Sequence, residues 1–153
     1  MAIGTGDRAP DFDLEDAGGA RVRLSDYLGR SNVLLVFHPF AWTGVCTEEA
    51  QDLQDNLDSF RAANTEVLLV ACEPPPARQA WKQEIGADYL FPSDFWPHGA
   101  AAKAYGVFNE ASGAPVRGTF LIDTGGIVIW SLVNEPGVRR DELVPAPLAT
   151  LGG

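Results

Sequence analysis

Two runs along the chain are apolar without interruption, Val33 to Phe37 (VLLVF) and Val67 to Ala71 (VLLVA). Each is strand-length and closes near proline, the first before Pro39 and the second before Pro74-Pro75-Pro76. That pattern predicts strands covered on both faces. Their likeness reflects parallel-sheet composition and carries no repeat. Between them Ala50, Leu53, Leu57 and Phe60 recur at helical spacing, predicting one amphipathic helix that starts near Cys46 and ends near Asn64. Upstream, Phe12 to Leu14 and Val22 to Leu24 alternate apolar with polar around Asp16-Ala17-Gly18-Gly19, which predicts a β-hairpin.

Downstream, the proline run opens a helix through about Ile85, because proline is tolerated in a first turn. Tyr89 to Phe91 reads as a short strand, Ser93 to Gly99 as an aromatic loop, and Ala100 to Tyr105 as an alanine-rich helix. Thr119 to Asp123 and Ile127 to Val133 flank Asp123-Thr124-Gly125-Gly126, a hairpin signal, and Leu143 to Leu151 reads as a closing helix. Strand, helix, strand, antiparallel hairpin, helix is the order of a thioredoxin-like α/β fold. The prediction is a single domain over residues 1–153: a central mixed sheet flanked by helices, with an N-terminal β-hairpin extension.

Composition narrows the function. With 153 residues, 46% of them hydrophobic and 21% charged, the chain can bury a core without disulfide staples. A formal net charge of -10 repels nucleic acid and anionic membranes, so neither is an expected partner. The opening MAIGTGDRAPDFDLED has no apolar core of a secretory leader, and no run approaches bilayer length. Two cysteines in such a chain fit the reducing cytoplasm, where catalysis or burial is expected before a structural disulfide. The histidines and cysteines lack zinc-type pair spacing and there is no glycine-rich phosphate loop, so no metal and no cofactor are expected.

The chemistry concentrates at Thr43-Gly44-Val45-Cys46, which has the spacing of a thiol-disulfide motif with threonine in place of the first cysteine. Cys46 falls at a strand-to-helix junction. Unpaired N–H groups and the positive end of the helix dipole stabilise a thiolate there, and the thiolate is the attacking form. The alternative is a small buried hydrophobe. Position favours function without deciding it.

Pro39-Phe40-Ala41-Trp42-Thr43-Gly44-Val45-Cys46 resembles the P-x-x-x-T-x-x-C signature of the peroxiredoxins, cysteine-dependent peroxidases on a thioredoxin fold. Ala9-Pro10-Asp11-Phe12 resembles that family's opening hairpin, Ser93 to Gly106 its aromatic loop and helix, and Arg117-Gly118-Thr119-Phe120-Leu121-Ile122-Asp123 its arginine-bearing strand. The VLLVF, PPP and SDFWPHGA segments look most like the one-cysteine alkyl hydroperoxide reductase E branch. The resemblance implies that Cys46 is the peroxidatic nucleophile and becomes a sulfenic acid. It implies that Thr43 hydrogen-bonds thiolate and peroxide, that Arg117 holds the thiolate and polarises the peroxide, and that Pro39 shields the sulfur. Backbone N–H groups around Val45 and Cys46 complete the donors. Ionisation alone is a weak lever: a thiol of pKa ~8.5 is roughly 3% ionised at pH 7, so full ionisation gains only about thirtyfold. Donors aimed at the departing oxygen contribute roughly a hundredfold or more each.

Glu49 matches the family's glutamate three residues after the cysteine; it either positions Arg117 or merely suits the helix dipole. His38 stands where relatives often carry Tyr or Phe, and reads as a pocket wall before a proton relay. Trp42, Phe40, Phe95 and Trp96 either wall an apolar entrance for alkyl hydroperoxides or pack a core or interface. Cys72 reads as a packed core thiol, with a resolving cysteine as the alternative. The expected activity is a thiol-dependent peroxidase acting on hydrogen peroxide and organic hydroperoxides. The alternative is a redox sensor or thiol-disulfide exchange protein on the same fold. Recycling calls for an external thiol, mycothiol with a glutaredoxin-like protein or thioredoxin; the excess of arginine over lysine suggests a high-GC genome and favours mycothiol. The family resemblance also implies a homodimer.

Overall fold

The computed structural model describes residues 2–134 and 138–152. Strands β3 (Asn32–Phe37) and β4 (Thr65–Val70) form from the two apolar runs and pair in parallel, Leu35 opposite Leu68. Strand β7 (Arg117–Ile122) pairs antiparallel with β3 on its other side, and β8 (Val128–Asn134) closes the sheet in the order β4-β3-β7-β8. The sheet is therefore mixed, as the element order predicts.

Alternation along β3 divides its side chains between two cores. Val33, Leu35 and Phe37 face one side, against Tyr105, Phe120, Val128 and the hairpin residues Leu14 and Val22. Leu34 and Val36 face the other, against Ala50, Leu53, Phe60, Trp81 and Leu143. The hairpin itself is β1 (Asp13–Glu15) with β2 (Arg21–Arg23), as expected.

The single helix expected from near Cys46 to near Asn64 is two, α1 (Gly44–Asp55) and α2 (Leu57–Ala62). Asn56 separates them: its Nδ2 donates to the Asp52 carbonyl at 2.9 Å and its backbone leaves the helical region. Asparagine competes in this way with the backbone ladder. The apolar spacing survives the break, so both pieces still bury Leu53, Leu57 and Phe60. Helix α3 (Pro75–Ile85) starts on two prolines and ends at Gly86, whose φ of 74° is open to glycine.

Tyr89 to Phe91 makes one bridge, Leu90 to Leu68, and no strand. The Phe91 N–H is taken by the Asp16 carboxylate at 2.8 Å, and Pro92 has no N–H to continue the pairing, which resumes at the bridge of Ser93 with Ala71. Helix α4 (Ala100–Ala104) follows, its first N–H groups held by Asp94. A small hairpin, β5 (Phe108–Asn109) with β6 (Ala114–Pro115), has no alternation to announce it; His98 donates to the Gly113 carbonyl beside it at 2.7 Å. Helix α5 (Pro145–Gly152) carries both of its prolines in the first turn, where they leave the ladder intact.

Candidate active site

Cys46 is the third residue of α1, following Thr43 at the N-cap. The first N–H in the helix's own ladder belongs to Thr47, which donates to the Thr43 carbonyl at 2.9 Å. The N–H groups of Gly44, Val45 and Cys46 precede it and concentrate the positive end of the dipole around the sulfur. Cys46 is only 1% exposed, and Pro39 is also buried. Val45 is half-buried, while Thr43 and Trp42 lie at the surface.

The loop into the helix is shaped by Trp42, whose φ of 63° lies in the left-handed region. For a bulky side chain that conformation costs on the order of 1–3 kcal/mol and persists only when neighbours impose it. Thr43 Oγ1 donates to the Phe40 carbonyl at 2.9 Å. The hydroxyl proton is thus committed within the loop, while its lone pairs stay open to a donor.

Glu49 lies one turn further along α1, 1% exposed, and accepts four hydrogen bonds. Its Oε1 takes Arg117 Nη1 at 2.6 Å and Arg140 Nη2 at 2.8 Å. Its Oε2 takes the Arg140 backbone N–H at 2.8 Å and Nε at 3.0 Å. Arg140 also reaches the Gly118 carbonyl and Thr119 Oγ1, at 3.1 and 2.7 Å. Strand β7 and the segment before α5 are thereby locked to α1 through one carboxylate. Burial acts to raise the Glu49 pKa, but the two arginines and their hydrogen bonds outweigh it and hold the carboxyl below its ordinary value. The sequence pointed to Glu49 and Arg117; it did not point to Arg140, which lies 91 positions from Glu49 and has no local pattern tying it there.

A second buried arginine also went unread. Arg78 of α3 is fully buried, and its Nη1 contacts His38 Nε2 at 2.7 Å and Glu73 Oε1 at 3.0 Å. The signal was present: Arg78, Trp81 and Ile85 share one face of α3, so a charge stands on the apolar stripe. A guanidinium has no acceptor, so His38 Nε2 accepts and the imidazole proton sits on Nδ1. Burial first, then the charges of Arg78, Arg140 and Arg117, hold His38 well below its ordinary pKa. The ring is neutral and packs 5.0 Å from Trp81.

Cys72 is buried, and its thiol is pushed up to about 12, by burial first and then by Asp94 and Glu73. Phe40, Phe95 and Trp96 are exposed, Trp96 at 83%, so these aromatics do not belong to the core. Among the described residues no cluster of three or more His, Cys, Asp or Glu side chains is placed to hold a metal ion. No helix among them is long and apolar enough to cross a membrane.

The AhpC/TSA family profile matches residues 5–131. Over 140 residues, 92% of each chain, this sequence is 43% identical to alkyl hydroperoxide reductase E of Mycobacterium tuberculosis. It is 34% identical to the chloroplastic 2-Cys peroxiredoxin BAS1 of Spinacia oleracea over 88% of this chain and 54% of that one. Among solved structures, peroxidoxin BcpB of Mycobacterium tuberculosis superposes with a TM-score of 0.88 at 31% identity, covering 98% of this chain and 97% of the other. Enterococcus faecalis AhpC does so at 0.87 and 28%, covering 98% and 93%. Sequence and fold agree across almost the whole length, and the chain belongs to the AhpC/TSA family of peroxiredoxins, thiol-dependent peroxidases.

Proposed function

We propose that Cys46 is the peroxidatic nucleophile of a one-cysteine cycle carried by residues 1–153 as one domain. The observation that supports this best is the placement of Cys46 at the third position of α1, sealed from solvent, with the Glu49–Arg117–Arg140 cluster one turn away.

The thiolate attacks the terminal oxygen of a hydroperoxide: the S–O bond forms and the O–O bond breaks. Sulfur loses two electrons, and the departing RO⁻ takes a proton from water to leave as ROH. Helix N–H groups and Arg117 stabilise the negative charge as it moves from sulfur to oxygen. Thr43, donating to Phe40, offers its lone pairs to the O–H of the incoming peroxide and orients it for in-line attack. Pro39 excludes water without presenting an N–H of its own. Two external thiols then reduce the sulfenic acid, giving their disulfide, water and the Cys46 thiol.

Hydrogen peroxide and organic hydroperoxides are the substrates, with Trp42 at the entrance. Mycothiol with a glutaredoxin-like protein, or thioredoxin, supplies the electrons, in the cytoplasm. Cys72 takes no part, because a thiol pushed up to about 12 offers almost no thiolate at neutral pH. The exposed Phe95 and Trp96 fit the face of a homodimer. The test is mass spectrometry after one equivalent of peroxide. One added oxygen on Cys46, absent in Cys46→Ser, is expected; an unmodified Cys46 in folded protein would refute the reading.

A further inference from the structure

The ion pair of Arg78 with Glu73 lies outside the Glu49 cluster, yet both of its ends grip the loop that enters α1. Arg78 Nη1 holds His38 at the end of β3. Glu73 Oε2 accepts the N–H of Ala41 at 2.5 Å, and Glu73 Oε1 accepts Arg78. Pro39 and Phe40 lie between these two points, with the left-handed Trp42 and Thr43 immediately after.

We infer that Arg78 is a positioning residue for the peroxide reaction: with Glu73 it fixes the 38–43 loop at His38 and Ala41, and so sets where Pro39 and Thr43 stand against Cys46. The inference rests on the peroxidase reading of Cys46.

Three further observations support it. First, Arg78 is held on every side. Nη2 donates to the Leu69 carbonyl at 2.5 Å, and the guanidinium carbon lies 5.1 Å from the Phe91 ring centre and 5.8 Å from that of Trp81. A group so fixed transmits position, because its fork cannot turn. Second, the arrangement is poor for stability alone. A guanidinium is fully desolvated and its Nε finds no partner among the described residues, whereas replacing such a buried pair as a whole by apolar side chains of similar volume is often neutral or stabilising. Third, the strained Trp42 needs neighbours that impose its conformation. The grip on Ala41, one residue before it, is such a restraint.

Lysine cannot substitute, since a single ammonium on a flexible stem cannot reach His38, Glu73 and the Leu69 carbonyl at once. The charged groups around the site are Arg78 of α3, Arg140 before α5, Arg117 of β7, Glu49 of α1 and the partly exposed Glu73; Arg78 and Arg140 both lie within electrostatic reach of Cys46.

The experiment is a cycle of rate constants for oxidation of the reduced protein by hydrogen peroxide. Arg78→Met and Glu73→Gln are each measured alone and combined with Thr43→Val. Glu73 is partly exposed, so its variant carries the test if Arg78→Met does not fold. Each is expected to slow oxidation by about tenfold or more, as displacement of a reacting group by about 1 Å does. In the Thr43→Val background each slows it by clearly less than it does alone, because the loop they position still carries Pro39 but no longer the hydroxyl. Glu73→Gln at the wild-type rate, or penalties that multiply in that background, overturns the inference. A wild-type protein inert to peroxide instead refutes the peroxidase reading itself.

Discussion

Replacing Glu49 by glutamine removes one charge and almost no volume from the centre of the site. Glutamine can still accept at its carbonyl oxygen, but its amide nitrogen is a donor. One of the two carboxylate positions then presents donors to donors: Arg140 N–H and Nε on the Oε2 side, or Arg117 and Arg140 Nη2 on the Oε1 side. Breaking a buried ion pair from one side costs about 3–5 kcal/mol, a large share of the roughly 5–15 kcal/mol that holds a domain folded. At about 2–4 °C per kcal/mol for this chain length, the melting temperature falls by about 6–20 °C. Circular dichroism melts of wild type, Glu49→Gln and the neighbouring control Glu48→Gln measure it. Glu48 has 60% of its side chain in solvent and pairs with a half-exposed Arg139, so its variant shifts by no more than about 2–4 °C. Oxidation by peroxide slows in Glu49→Gln as well, since Arg117 loses its anchor. A Glu49→Gln protein that melts with the control and reacts at the wild-type rate would refute the account of this carboxylate as the lock between α1, β7 and Arg140.

The remaining expectations are narrower. His38 is held neutral well below 6.5, while an unfolded imidazole protonates near that value, so its stabilising contribution is complete above pH 6.5 and is lost as pH falls. Urea titrations of wild type and His38→Phe at pH 7.5 and 5.5 should show the wild type losing more stability than the variant. Parallel pH dependences would count against it; Glu49, held below 4.5, and Asp94, whose burial raises its pKa, are common to both proteins. Cys72→Ala should turn over peroxide with an external thiol at the wild-type rate. A Cys46–Cys72 disulfide in the oxidised wild type, detected by peptide mapping, contradicts this. Gly118→Ala places a methyl 2.7 Å from Val107 Cγ1 and should lower stability by about 1–3 kcal/mol in denaturant; an unshifted midpoint argues that Val107 gives way freely.

Most of the sheet was legible because its signals are local: VLLVF and VLLVA can be little other than buried strands, and Asp123 to Gly126 closes β7 on β8. The failures were local conflicts settled by side chains. Asn56 splits a helix whose periodicity runs straight through it, and Pro92, with no N–H, interrupts the pairing that would have made a strand of Tyr89 to Phe91. The residues of the 38–46 loop, Glu49 and Arg117 were singled out by their likeness to the family signature. Arg140 could not be, because nothing near it in sequence records that it closes on α1. Arg78 could have been found from chemistry alone, as a charge on the apolar face of α3. The exposure of Thr43 and the direction of its hydroxyl bond belong to the loop's path and are invisible in the order of residues.

In the cycle proposed for Cys46, its near-complete burial makes the two half-reactions unequal in what they ask of the fold. A molecule with two oxygens at its tip can enter a closed cleft; a sulfur carried on another protein cannot. In that cycle oxidation runs in the shape described, whereas reduction by a protein thiol calls for the first turn of α1 to loosen and hand its sulfur outward. The stability of that turn becomes a throttle on recycling. Any substitution that tightens it trades turnover for protection of the sulfenic acid.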